Sequence, residues 1–101
     1  MVNKHFNVVW PLKASRQLQQ AYLYIRKDSL QNAEKVRKAI LEATNKLKIN
    51  PEINLADKYK TNNDGSFRAF ELFRYRISYQ ITNDDVIILR LRHTSMNPKN
   101  Y

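Results

Sequence analysis

FRAFELFRYRISYQITNDDVIILRLRHTSMNP, residues 67–98, is the stretch that decides the fold. Three runs rich in Phe, Tyr, Ile, Val and Leu follow one another almost without a linker, a composition that favours strands. Within Tyr75–Thr82, Ile77, Tyr79 and Ile81 fall on one side and Arg76, Ser78 and Gln80 on the other. Within Val86–His93, Ile87, Leu89 and Leu91 share a side, opposite Arg90 and Arg92. Alternation of this kind belongs to a sheet with one covered face.

The same pattern selects a register. A turn of Asn83-Asp84 alone would set Gln80 against Ile87. A loop of Asn83, Asp84 and Asp85 sets Ser78 against Arg90, Arg76 against Arg92 and Tyr79 against Leu89. A slip of one residue exchanges the faces, so the apolar pattern favours the longer loop, where Asn and Asp tolerate a left-handed conformation. The expected product is a hairpin with one apolar face and one arginine-bearing face.

Upstream, His5–Trp10 alternates loosely as a strand closed by Pro11. Ala14, Leu18, Ala21, Tyr22 and Ile25 form one stripe on a helical period, which predicts a helix from about Lys13. Asp28 or Ser29 caps a second helix, from Leu30 to Ile49, with Ala33, Val36, Ile40, Ala43 and Leu47 as its seam. So short a connection makes the helices an antiparallel hairpin. Their stripes need an apolar surface, and the sheet offers one. Residues 52–66 carry no periodicity and read as a loop. The expected architecture is α+β, in the order β-α-α-β-β-β, as one domain over residues 1–101 with the helices on one face of a mainly antiparallel sheet.

Eighteen Lys and Arg against nine Asp and Glu give a net charge of +9, which suits a polyanionic or acidic partner. There is no cysteine, hence no disulfide frame, no thiolate nucleophile and no cysteine metal site. Two histidines are too few for a histidine-rich metal site, and no cofactor motif occurs. The opening MVNKHFNVVWP has too short an apolar run for a signal peptide, and nothing approaches a membrane span, so a cytoplasmic location is expected.

The candidate functional surface is the arginine set. Arg68, Arg76, Arg90 and Arg92 lie on adjacent strands, with His93 at the last strand's end and Tyr75 and Tyr101 nearby. Guanidinium forks on a rigid sheet hold phosphates or carboxylates, and aromatic rings stack bases. His93 has the pKa range of a proton shuttle, although a histidine there more often caps the strand. A further alternative for this face is a small basic module that binds nucleic acid directly.

The strand, helix hairpin and meander, with YRISYQI followed by VIILRLRHTSMNP, resemble the RelE/ParE superfamily of toxins from bacterial type II toxin–antitoxin pairs. Trp10, Ala14, Leu18, Tyr24-Ile25, Ala33 and the Leu47…Pro51 ending add to the likeness, which spans nearly the whole chain. The resemblance implies one of two activities. RelE-like members cut mRNA on the ribosome without metal, and there Arg76 and Tyr101 would be catalytic. Against this, Thr94-Ser95-Met96 stands where those members carry a further arginine, and only Lys58 and Lys60 represent their basic loop. ParE-like members poison DNA gyrase, and Ile88–His93 (ILRLRH) resembles their last strand. The ending favours the ParE-like side, for which the resemblance implies a growth-arresting, plasmid-stabilising toxin. Either branch implies a cognate antitoxin with an acidic toxin-binding segment.

Overall fold

The computed structural model describes residues 4–101; Met1–Asn3, part of the opening read for a signal peptide, lie outside the described residues. Strand β1 (Asn7–Val9) leads into α1 (Leu12–Arg26) and α2 (Leu30–Asn45); β2 (Phe67–Leu72), β3 (Tyr75–Ile81) and β4 (Asp85–His93) complete the chain. Two helices pack on a four-stranded mixed sheet of order β1-β4-β3-β2, in which β1 runs parallel to β4 and the other pairs are antiparallel. The element order and the α+β class are those expected from the sequence.

Ser29 is the cap that starts α2, its hydroxyl accepting the Asn32 N–H at 3.1 Å. The α-helix ends at Asn45, and a 3₁₀ turn (Lys46–Lys48) carries Leu47 into the core. The seam of α2 is Ala33, Val36, Ile40 and Thr44 rather than Ala43. A buried threonine is tolerated because its hydroxyl donates to the Leu41 carbonyl at 3.0 Å. From α1, Ala14 and Ala21 are buried and Leu18 and Ile25 pack beside them against Ile77, Tyr79, Val86, Ile88 and Leu91 of the sheet.

The β3–β4 hairpin combines both registers considered above. Arg76 faces Arg92 and Ser78 faces Arg90, as the three-residue loop requires. Nearer the tip Tyr79 faces Ile88 instead of Leu89, and Gln80 faces Ile87, as the two-residue turn requires. Thr82 N–H donates to the Asp85 carbonyl at 2.9 Å, closing the chain around Asn83-Asp84. A bulge reconciles the halves, leaving Leu89 as the extra residue of β4. The core side chains are therefore Val86, Ile88 and Leu91, and Ile87 and Leu89 are only half-buried.

Beyond the end of β1, the Leu91 N–H has no strand to meet. The Gln17 side chain of α1 accepts it at 2.8 Å. The left-handed conformation expected at the β3–β4 tip occurs instead at the β2–β3 tip, where Phe73 and Arg74 have φ of 51° and 67°.

Candidate functional site

The sheet face turned away from the helices carries Ala69, Ser78 and Arg90 in one row and Glu71, Arg76 and Arg92 in the next, as the strand pairings dictate. It is not an open face. Ala69 and Ser78 are buried, because Tyr101 lies over this side of the sheet. Tyr101 is anchored to the segment before β2: its N–H donates to the Tyr59 carbonyl at 3.0 Å, and its carbonyl accepts the Thr61 N–H at 2.7 Å. The phenol ring meets Phe67 edge-on at 6.2 Å, and the Arg90 guanidinium stacks on it at 4.1 Å. Arg90 also donates to the Lys99 carbonyl at 2.7 Å, holding the tail down.

The centre of this arrangement is Asp57. It is 2% exposed, and it collects the Tyr101 phenol at 2.5 Å, Arg76 Nη2 at 2.9 Å and the Tyr59 N–H at 3.1 Å. Burial pushes its carboxyl up, but the hydrogen bonds from Tyr101 and Arg76 outweigh it, and Asp57 sits below the usual carboxylate range. Burial, together with the hydrogen bond to Asp57, pushes Tyr101 up to about 12, with Ser78 beneath it acting in the opposite sense. Arg76 bridges to Glu71 as well, at 3.1 Å, and stacks on Tyr59 at 4.8 Å. Burial lowers its guanidinium pKa, but hydrogen bonds to Asp57 and Glu71 more than reverse this. These three groups form a charge-balanced structural cluster in which the tyrosine holds its proton tightly.

Of the sequence-predicted residues, Arg76, Arg90 and Arg92 share this face with Tyr101. Arg68 does not. It pairs with core residue Tyr79, on the helix side of the sheet, and donates to the backbone carbonyls of Asn54 at 2.8 Å, Gly65 at 3.1 Å and Glu52 at 3.3 Å. Those bonds make it a clamp on the 52–66 loop, whose Ala56 forms a bridge beside it. His93 pairs with buried Tyr75, edge-on at 5.1 Å, again on the helix side, and its Nδ1 meets the Ser95 hydroxyl at 2.7 Å. Lys60 reaches the site, its ammonium 5.6 Å from the Tyr101 ring. Asp57 was not foreseen: an acid in an aperiodic loop has no pattern to mark it. Among the described residues no group of three or more His, Cys, Asp or Glu side chains is placed to hold a metal ion, and no helix is long and apolar enough to cross a membrane.

A second surface lies at the other side of the molecule, a groove of about 750 Å³ between α2 and the edge strand β1. Val8, Trp10 and Leu41 give it apolar walls, and Lys35, Arg37, Lys38 and Lys48 line it together with Glu34 and Glu42, which leaves it net basic.

Residues 8–98 match the family model described as ParE toxin of type II toxin–antitoxin system, parDE. The chain belongs to the ParE toxin family. Among solved structures, this ParE-family chain is similar to one from the chromosomal ParDE system of P. aeruginosa, with a TM-score of 0.68 and 17% identity over 88% of this chain and 96% of that one. It is also similar to a chain of the RelBE2 toxin–antitoxin complex of Mycobacterium tuberculosis, with a TM-score of 0.62 and 19% identity over 89% and 92%. At such identities the likeness is one of fold. No curated protein matches the sequence.

Proposed function

We propose that this ParE-family chain arrests growth by poisoning DNA gyrase in the cytoplasm and is neutralised by a cognate antitoxin. The observation that carries the gyrase reading is the commitment of Arg76 and Tyr101 to Asp57. Cleavage of RNA would need a group to take a proton from the 2′-hydroxyl and a cation to neutralise the phosphorane. Here the phenol is held protonated and the arginine is offset by two carboxylates. The same residues thus serve the fold rather than a reaction. An antitoxin is favoured by the +9 charge and by the groove beside α2, whose net basic lining and apolar walls suit an acidic amphipathic segment; both solved neighbours come from toxin–antitoxin pairs.

The test is to incubate the purified chain with gyrase, ATP and plasmid DNA. Accumulation of protein-linked linear DNA is expected, together with intact messages in arrested cells. Transcripts cut inside translated codons, with gyrase unaffected, would replace this function by that of a ribosome-dependent endonuclease.

A further inference from the structure

On the helix side of the sheet, the β2–β3 tip, the end of α1 and the start of α2 frame a hollow of about 370 Å³. Tyr24, Phe73, Tyr75 and His93 put four rings into its lining, and Lys35 and Arg74 add two cations. No Asp or Glu lines it, and among the described residues neither cation makes a salt bridge. On the arginine face, by contrast, Asp57 and Glu71 offset Arg76. Two of the rings are accessible: Tyr24 is 65% and Phe73 45% exposed, above a buried Tyr75. Phe73 and Arg74 hold their places on left-handed backbone, with φ of 51° and 67°, where Asn and Gly would sit at ease. The tip is fixed in that shape by the Arg74 carbonyl, which accepts the Thr94 N–H at 2.7 Å. The Lys35 ammonium lies 5.7 Å from the Phe73 ring, so charge and ring are presented together. Backbone strain kept for two exposed side chains points to work done by those side chains.

We infer that this hollow binds a single-stranded DNA segment, with a base against the Tyr24 and Phe73 rings and the flanking phosphates at Lys35 and Arg74. An unneutralised pair of cations calls for an anion, and exposed rings call for a flat partner. Carboxylates of an acidic peptide meet the first demand and offer the rings nothing to stack on. Duplex DNA keeps its bases stacked on one another and presents phosphates alone, so the strand has to be single. The volume falls at the small end of ligand sites, roughly 300–1,000 Å³, which suits one unstacked nucleotide and its neighbouring phosphates. The choice of DNA over RNA rests on the gyrase reading, in which the toxin works on an enzyme that cleaves and holds DNA. Binding is measured without gyrase, so its failure leaves that reading in place, and a failed gyrase assay leaves the binding result standing.

The test is fluorescence anisotropy of a labelled decathymidylate titrated with the purified chain at several salt concentrations. Saturable binding is expected, weakened roughly tenfold in Tyr24→Ala and in Phe73→Ala, the value of one stacked base. Arg74→Gln should lower the slope of log affinity against log salt by about 0.7, the share of one phosphate on a single strand. The Phe73→Asn/Arg74→Gly variant should bind more weakly still while remaining folded, because Asn-Gly suits the turn. Its loss of binding is then not a loss of structure. Affinity unchanged in Tyr24→Ala and Phe73→Ala but reduced in Arg92→Gln would move the contact to the arginine face and overturn the site. So would an abasic oligomer of the same length binding as tightly, since charge alone would then suffice. Tighter binding of a decauridylate RNA or of a poly-glutamate peptide overturns DNA as the occupant, and no saturable binding overturns the whole inference.

Discussion

Tyr101 and Asp57, 44 positions apart in sequence, meet through a 2.5 Å hydrogen bond that fastens the end of the described chain to the loop before β2. The bond places a phenol, a carboxylate and the Arg76 guanidinium in one buried cluster on the sheet face away from the helices. Most consequences that follow for stability and activity trace to that cluster.

Asp57→Ala removes the acceptor of three hydrogen bonds and leaves Arg76 with only the exposed Glu71. Breaking a buried pair from one side costs about 3–5 kcal/mol. Urea unfolding is expected to show a loss of about 3 kcal/mol. The Asp57→Ala/Arg76→Ala double variant should lose clearly less than the sum of the two single changes. Strict additivity would mean that the two side chains are not coupled.

Tyr101→Phe keeps the ring against Phe67 and Arg90 and deletes only the hydroxyl. The folded chain should lose about 1–2 kcal/mol, the value of a hydrogen bond to a charged acceptor. Growth arrest on induction should persist, because the phenol does no chemistry under the gyrase mechanism. Abolished arrest in a folded Tyr101→Phe chain would count against that mechanism.

The two ends of the pH scale follow from the same bond. Asp57 has a folded pKa below its unfolded value, so its stabilisation is present above about pH 4 and is lost as pH falls through the lowered folded value. Tyr101 has a folded pKa raised from 10.0 to about 12. The unfolded chain therefore gives up this proton first, and stability drains away as pH rises through that interval. Tyr75 and Tyr79 are also pushed up by burial, so the contribution of Tyr101 is read as a difference from Tyr101→Phe. Thermal melts across both ranges should show the acid limb blunted in Asp57→Asn and the alkaline limb blunted in Tyr101→Phe.

At the β2–β3 tip, Phe73 and Arg74 occupy left-handed backbone that bulky residues adopt at a cost of about 1 kcal/mol or more each. Replacing them by Asn-Gly, the pair such a turn prefers, is expected to raise stability by about 1 kcal/mol. The gain is reduced by loss of the contact between Phe73 and the Lys35 ammonium at 5.7 Å. A lower melting temperature would show that the side chains contribute more than the backbone strain costs.

The helices and the β-meander were legible because burial imposes a period, 3.6 along α1 and α2 and 2 along β3. That logic fails where one residue breaks phase. Ile87, Leu89 and Leu91 alternate correctly in the sequence, yet Leu89 is the bulge residue and the core takes Val86 and Ile88. No local composition marks a bulge, since it is set by the turn closing at Thr82 and Asp85. The arginine face was half legible. Alternation correctly grouped Arg76, Arg90 and Arg92, and strict counting from Tyr79 back across β2 would have been needed to separate Arg68. Asp57 and the inward fold of Tyr101 depend on contacts across the chain, which neither periodicity nor charge reveals.

The first strand of this protein waits for its last. Residues 7–9 pair with residues 85–87, and the apolar stripes of the helices have no sheet to cover until β3 and β4 exist. Contacts so distant in sequence form late, after a large loop has been closed. While the chain is being synthesised, it therefore holds a helix hairpin but no sheet, and the toxin has no working surface until nearly all of its residues are in place. A chain cut short before β4 lacks the partner of β1 and most of the apolar face that covers the helix stripes, so no folded arginine face is expected of it.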